Sequence, residues 1–308
     1  HFLTGATFGT EYAVSRYLFK ARAALHTNPL IEGLGWFKIK PCVCFVMKSA
    51  WLDLQFGSTR VVLFNLIRKL KSCIPQSQEL HHNPRPRGET MAVLINAKID
   101  ALLESTSRSF YPTLKYLPKK IRGQIGLLYL LARVADTIAD SKEGETTDLM
   151  RILREYNDVV QGRSEILPDF SQIAEIQDNP NEAELLRNVD DVVDGLNEYS
   201  EQDREKMLEC LEVIVGGQIM DLERFGVAKE GGQIHALSNN EEMDDYTYRV
   251  AGCVGSFWTK MSLAHLMSLG RQKEEEFFMK GIRFGKGLQM INILRDIPED
   301  LRFGRCYI

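Results

Sequence analysis

From Met91 onward, apolar residues recur three and four apart, the spacing of helices that bury one face. Ile95 to Leu103 is the first such stretch, followed by the polar block Ser105-Thr106-Ser107-Arg108-Ser109-Phe110. A longer pattern runs from about Pro118 to Asp140, and further helices are predicted over Asp148 to Val160, Glu182 to Tyr199 and Asp203 to Phe225. Residues 162–181, with Pro168 and Pro180, read as a loop, and Lys229 to Gly232 as a turn. Asn239 to Leu269 reads as a helix with Asn239 or Asn240 as N-cap, and Arg271 to about Asp300 as the last one. No strand alternation longer than four residues appears, so 91–308 is predicted to be an all-α bundle of long helices with short loops. Residues 1–72 lack this regularity, and 73–90, with three prolines, read as a linker.

Two of these helices carry a polar stripe on an otherwise apolar body. Tyr129, Arg133, Asp136 and Asp140 share one side of the first, while Leu127, Leu128, Leu130, Leu131, Val134 and Ile138 fill the rest. In the last, Gln289, Asn292, Asp296 and Asp300 align among Leu288, Ile291, Leu294, Ile297 and Leu301. An acidic pair four apart is most often a solvated helix face, and like charges there repel by a few tenths of a kcal/mol. A helix apolar on its remaining faces argues instead that the stripe looks inward. Paired carboxylates suit a hard cation such as Mg²⁺ that keeps its waters and bridges to phosphate. Arg108, Arg133, Arg295 and Arg305 offer forked donors to a diphosphate, and Ser107 and Ser109 add hydroxyls. Pro298, inside the second stripe, predicts a kink before Asp300. Gly252 and Gly255 either permit close helix packing or leave room for a long apolar tail. Tyr246 and Tyr248, just upstream, could handle a proton or a cation.

The net charge of −4 argues against a general nucleic-acid binder. It hides an asymmetry: residues 1–90 hold 12 Lys+Arg against 5 Asp+Glu, and the remainder 26 against 37. The basic extension 1–72 fits either a targeting or membrane-surface segment or a packed extension. The six scattered cysteines show no metal or redox spacing, so reduced thiols and a reducing, cytoplasmic compartment are expected. No apolar run is long enough to span a bilayer. The first residue is His, and the last residues are Cys306-Tyr307-Ile308, so both ends are expected to be cut.

Five ordered blocks resemble the squalene/phytoene synthase family of head-to-head prenyl synthases: Ser107 to Phe110; Tyr129-x3-Arg133-x2-Asp136-x3-Asp140; Gly217 to Asp221; Tyr246 to Gly255; and Gln289 through Asp296 and Asp300 to Ile308. The resemblance implies an all-α isoprenoid-synthase bundle with a central cavity, incomplete at its C-terminus here. It implies Mg²⁺ on Asp136, Asp140, Asp296 and Asp300, and diphosphate held by Ser107, Arg108, Ser109, Gln289, Asn292, Arg295 and Arg305. Tyr246, Tyr129 and Arg133 are the implied catalytic groups. The implied reaction joins two prenyl diphosphates through a cyclopropyl-carbinyl diphosphate. Thr137 and the Thr106 to Phe110 block lean towards farnesyl diphosphate and squalene, with NADPH as hydride donor and peripheral membrane association for product release. Phytoene or dehydrosqualene formation is the alternative, and a non-catalytic assembly factor of the same fold a further one.

Overall fold

The structure is a computed structural model that describes residues 95–107, 110–114, 116–141, 144–227 and 231–308. The proposed extension 1–72 and linker 73–90 lie outside the described residues, as do Arg108 and Ser109. The described residues all belong to one compact unit.

The expected helices form, with revised ends. Helix α1 is Ala97–Ser107, α2 Phe110–Leu114, α3 Lys119–Ala139 and α4 Thr146–Val160. The expected loop 162–181 contains a short helix α5, Ser171–Glu175. The predicted helix Glu182 to Tyr199 is instead three pieces: α6 Pro180–Arg187, α7 Val189–Asp194 and a 3₁₀ turn Gly195–Glu198. Helix α6 starts early because Pro180 stands in its first turn, where no N–H is needed, and Asn179 caps it by accepting from the Asn181 N–H at 3.1 Å. The break at Asn188 has no Pro or Gly to announce it; the Asn188 amide donates to the Glu184 carbonyl at 2.7 Å, a local bond that competes with helix continuation.

Helix α8, Glu201–Phe225, is capped by Ser200 and ends at Gly226, whose φ of 69° stops the helix. Helix α9, Asn240–Thr247, is capped by Asn239, as expected. The predicted continuous helix to Leu269 is not regular: Tyr248–Gly252 is a π-helical segment, and α10 resumes over Cys253–His265. A π segment inserts extra width into the turn and re-aims side chains, a device common at functional sites. Helix α11, Arg271–Arg302, runs through Pro298 without ending. Two short strands were not expected: β1 His235–Ala236 pairs in parallel with β2 Arg305–Cys306.

Helix α3 is the core element. It is buried from Ile121 to Ile138 on nearly every side, against α8, α4, α7 and α10. A buried polar joint ties three helices together: Asp203 of α8 accepts from Gln124 of α3 at 3.0 Å and meets His265 of α10 at 2.8 Å. Helices α10 and α11 meet backbone to backbone. A Cβ on Gly255 would lie 2.0 Å from the Gly281 carbonyl oxygen, and one on Gly285 2.2 Å from that of Ala251. Gly252 and Gly255 therefore serve close packing, the simpler of the two readings.

Candidate active site

The second stripe does face inward. Helix α11 buries Gly285, Gln289, Asn292 and Ile293, and Asp296 and Asp300 continue that face half-buried. Its apolar residues Ile291, Leu294 and Leu301 lie on the exposed side. The first stripe behaves likewise: Tyr129 and Arg133 are buried, Asp136 is half-buried, and Asp140 at the helix end is exposed.

Arg133 organises the first stripe. It donates to the Tyr129 hydroxyl at 3.3 Å, stands 5.7 Å above the Tyr129 ring and pairs with Asp136 at 3.4 Å. Burial works against its charge, but Tyr129 and Asp136 outweigh it and hold the guanidinium protonated. Asp136 also accepts from Gln218 of α8 at 2.8 Å. Desolvation, then the neighbouring Asp140, push the Asp136 carboxyl well above the usual range, against the pull of Arg133.

Helix α8 links the two stripes, and its part was not assigned from sequence. One turn beyond Gln218, Asp221 accepts from the Tyr307 hydroxyl at 2.9 and 3.0 Å and meets Arg305 at 3.6 Å. Burial raises Asp221 to about 6 despite Arg305 and Tyr307. Asp300 reaches about 7, through burial first and Asp296 second, against the pull of Arg305. Arg305 also acts on Asp140, so its charge sits between the two stripes. The signal for α8 was present in the sequence: Gln218 and Asp221, three apart, interrupt the largely apolar stretch Val213 to Leu222.

Strand β2 explains how Arg305 and Tyr307 arrive. Gly304 takes a φ of 80° after α11, and a Cβ there would lie 2.8 Å from the Gln233 oxygen. The chain then pairs with residues 231–237, through His235 N–H to Gly304 O at 2.9 Å and Leu237 N–H to Cys306 O at 3.0 Å. Alternation along an extended chain puts Arg305 and Tyr307 on one side. Tyr307 stacks on Tyr246 at 4.5 Å, and Gln289 donates to the Tyr246 hydroxyl at 3.3 Å. Around them Met220, Phe225, Val250, Met290 and Ile293 form an apolar wall.

Two predicted groups are engaged differently from the expectation. Ser107 donates its hydroxyl proton to the Leu103 carbonyl and accepts from the Tyr111 N–H at 3.1 Å, which joins α1 to α2 and leaves it no proton for a phosphate. Arg295 grips its neighbour Asp296 with two bonds of 2.7 Å. An open cleft of about 390 Å³ is lined by Asn240, Glu241, Asp244, Asp245, Tyr248 and Lys286, none of which belongs to either stripe.

Among the described residues, no three His, Cys, Asp or Glu side chains converge to hold an ion unaided. That excludes an all-protein cage but suits Mg²⁺, which is ordinarily held by one or two carboxylates together with substrate phosphates. Of the seven buried side-chain polar atoms without a hydrogen-bond partner among the described residues, four lie on the site's inward faces: Gln218 Oε1, Gln289 Oε1, Asn292 Nδ2 and Arg305 Nε. Buried polar groups are ordinarily satisfied, so a cluster of orphans on the inward faces of α8, α11 and β2 is what a polar ligand would complete.

The chain is similar to several known proteins. The squalene synthase of Candida albicans is 25% identical over 209 residues, 67% of this chain and 43% of its own length. A probable squalene synthase of Neurospora crassa is 30% identical over 202 residues, 64% of this chain and 38% of its own. A bifunctional lycopene cyclase/phytoene synthase of Blakeslea trispora is 24% identical over 216 residues, 67% and 31%. The chain thus spans less than half the length of these relatives. A solved structure described as "The complex structure of TcSQS with ligand, E5700" superposes with a TM-score of 0.50 at 20% identity, covering 66% of this chain and 54% of that one, which supports the same all-α isoprenoid-synthase fold. The sequence profile described as squalene/phytoene synthase matches residues 103–308, a span that contains both aspartate stripes, the α8 link and the Arg305–Tyr307 strand, and so the chain belongs to the squalene/phytoene synthase family.

Proposed function

We propose that this chain carries the condensing centre of a prenyltransferase that joins two farnesyl diphosphates head to head, through a cyclopropyl-carbinyl diphosphate, to squalene. The observation that carries this reading is the crowding of Asp136, Asp221, Asp296 and Asp300 on inward faces, with several of these carboxyls pushed up by burial and by one another. Such a site is relieved by bound cations and, through them, by an anionic ligand.

Asp136, Asp140, Asp296 and Asp300 would hold Mg²⁺, which when bound supplies charge to neutralise a departing diphosphate. The exposed Asp140 marks the wet end of the first stripe, where an ion and a diphosphate would enter. Arg305 Nε and Asn292 Nδ2 are unspent donors for phosphate oxygens. Arg133, locked by Tyr129 and Asp136, adds fixed positive charge with little reorganisation. The apolar wall of Met220, Val250, Met290 and Ile293 keeps water from an allylic cation. Tyr246 stands at that wall with its hydroxyl held by Gln289 and would face the reacting carbons. Reduction to squalene needs a hydride from NADPH, and the hydrocarbon product would leave into a membrane.

The test uses the full-length protein with C15 or C20 prenyl diphosphate and Mg²⁺, with and without NADPH, followed by identification of the hydrocarbon. Squalene formed only with NADPH supports the reading, whereas phytoene from the C20 substrate moves it to the phytoene branch. Failure to release diphosphate from either substrate sinks the enzyme reading. A non-catalytic scaffold would tolerate Asp136→Asn and Asp296→Asn; the enzyme should lose product formation with either.

A further inference from the structure

The sequence points to Tyr246 as a handler of protons, and the structure adds what a tyrosine in that role needs. Burial pushes the Tyr246 hydroxyl well above its usual range, so it is a neutral phenol. A neutral phenol accepts a proton only if it passes on its own. The Tyr246 ring is stacked on that of Tyr307 at 4.5 Å and 24°, and the two hydroxyls are close enough to perturb each other's ionisation. Tyr307 in turn reaches both oxygens of Asp221, at 2.9 and 3.0 Å. The chain of contacts ends on Asp221, which shares the acidic crowding of the site but is not among the residues assigned to the ion or the diphosphate.

We propose that Asp221 and Tyr307 form a proton relay behind Tyr246, with Asp221 as the final acceptor. The proposal rests on the condensation reading and adds a route for the proton that cyclopropane closure releases. In that step a C–H bond breaks, and its electron pair forms the ring-closing C–C bond. The proton goes to the Tyr246 oxygen, the Tyr246 proton to Tyr307 and the Tyr307 proton to Asp221. Both phenols end neutral, and one proton has moved from carbon to carboxylate. Asp221 is faced by Tyr307 and Arg305 from the β2 segment, Asp140 from α3, Asp300 from α11 and Arg224 on its own helix. Its pull to about 6 leaves it anionic, and so able to accept, at neutral pH.

Tyr307→Phe keeps the stacked ring and removes the relay oxygen; Asp221→Asn keeps the shape and removes the acceptor. Both are compared with the wild type in the full-length protein, with farnesyl diphosphate and Mg²⁺ but no NADPH. Diphosphate release, cyclopropyl-carbinyl product and melting temperature are measured. The expected result is a near-native KM and melting temperature, and about a 10²-fold lower kcat for the cyclopropyl product. Diphosphate release should fall much less, with the excess appearing as prenyl alcohols formed by water. Product per diphosphate released equal to the wild type in Tyr307→Phe overturns the relay. Parallel loss of both readouts together with a lower melting temperature also overturns it, by showing a packing role. A wild type that releases no diphosphate overturns the condensation reading itself, so the two failures are distinguishable.

Discussion

Asp221 and Asp300 hold protons in the folded protein at pH values where an unfolded chain has released them. Their carboxyls lie at about 6 and about 7, against 3.8 in the ordinary state, and Asp136 is shifted in the same direction. A raised acid pKa means that the folded state binds more protons, so stability falls as pH rises through the window between the two values. Without added cations, denaturant midpoints should therefore decline from about pH 4 to about pH 8. Asp300→Asn should flatten this decline, and a slope identical to the wild type would contradict the assignment. At this scale the aspartates were legible because two carboxylates four apart on an apolar helix are anomalous. Tyr307 was not, because its role depends on a two-residue strand whose partner lies about 70 residues earlier, and alternation over two residues is no signal. Ser107 shows the converse: a hydroxyl in a polar block looks available until the turn above it claims its proton.

Among the elements, the long helices were readable from their period, and the interruptions were not. Asn188 splits a predicted helix through one side-chain bond, and the π segment at Tyr248–Gly252 leaves the hydrophobic pattern unchanged. The glycines at the α10–α11 crossing were visible, but their purpose was decided by the backbone of the opposing helix. Gly255→Ala places a methyl group 2.0 Å from the Gly281 carbonyl oxygen, an atom that cannot rotate away. The helices must separate, at a cost of about 1–3 kcal/mol. Thermal denaturation should show a lowered melting temperature, and because α11 carries Gln289 and Asn292, diphosphate affinity should fall with it. Gly287→Ala, with open space around it, serves as the control: it should not lower the melting temperature and should leave diphosphate affinity unchanged.

The molecule as a whole presents an apolar stripe on the outer side of α11. Ile291 is 46% exposed, and Leu294 and Leu301 are each 37% exposed. The inner side of the same helix is the polar one, carrying Gln289, Asn292, Asp296 and Asp300. Since these leucine and isoleucine side chains already meet water, Ile291→Ser with Leu294→Ser should change the stability of this chain by about 0.5 kcal/mol or less per site. Chemical denaturation checks this, and a loss of several kcal/mol would show that the stripe is covered. Among the described residues no helix is long and apolar enough to cross a membrane.

The pairing of β1 with β2 has a consequence in time. Arg133 finds Asp136 within one turn, but Asp221 finds Tyr307 across 86 residues and Gln289 finds Tyr246 across 43. Contacts of such separation carry a loop-closure cost that local helices avoid, and they form later. The first aspartate stripe can be assembled as soon as α3 and α8 dock. The second half waits for the turn at Gly304 to bring the last residues back onto 231–237. On a ribosome this half therefore cannot assemble before Tyr307 has emerged, so a nascent chain that already holds its helical framework still lacks the stacking partner of Tyr246.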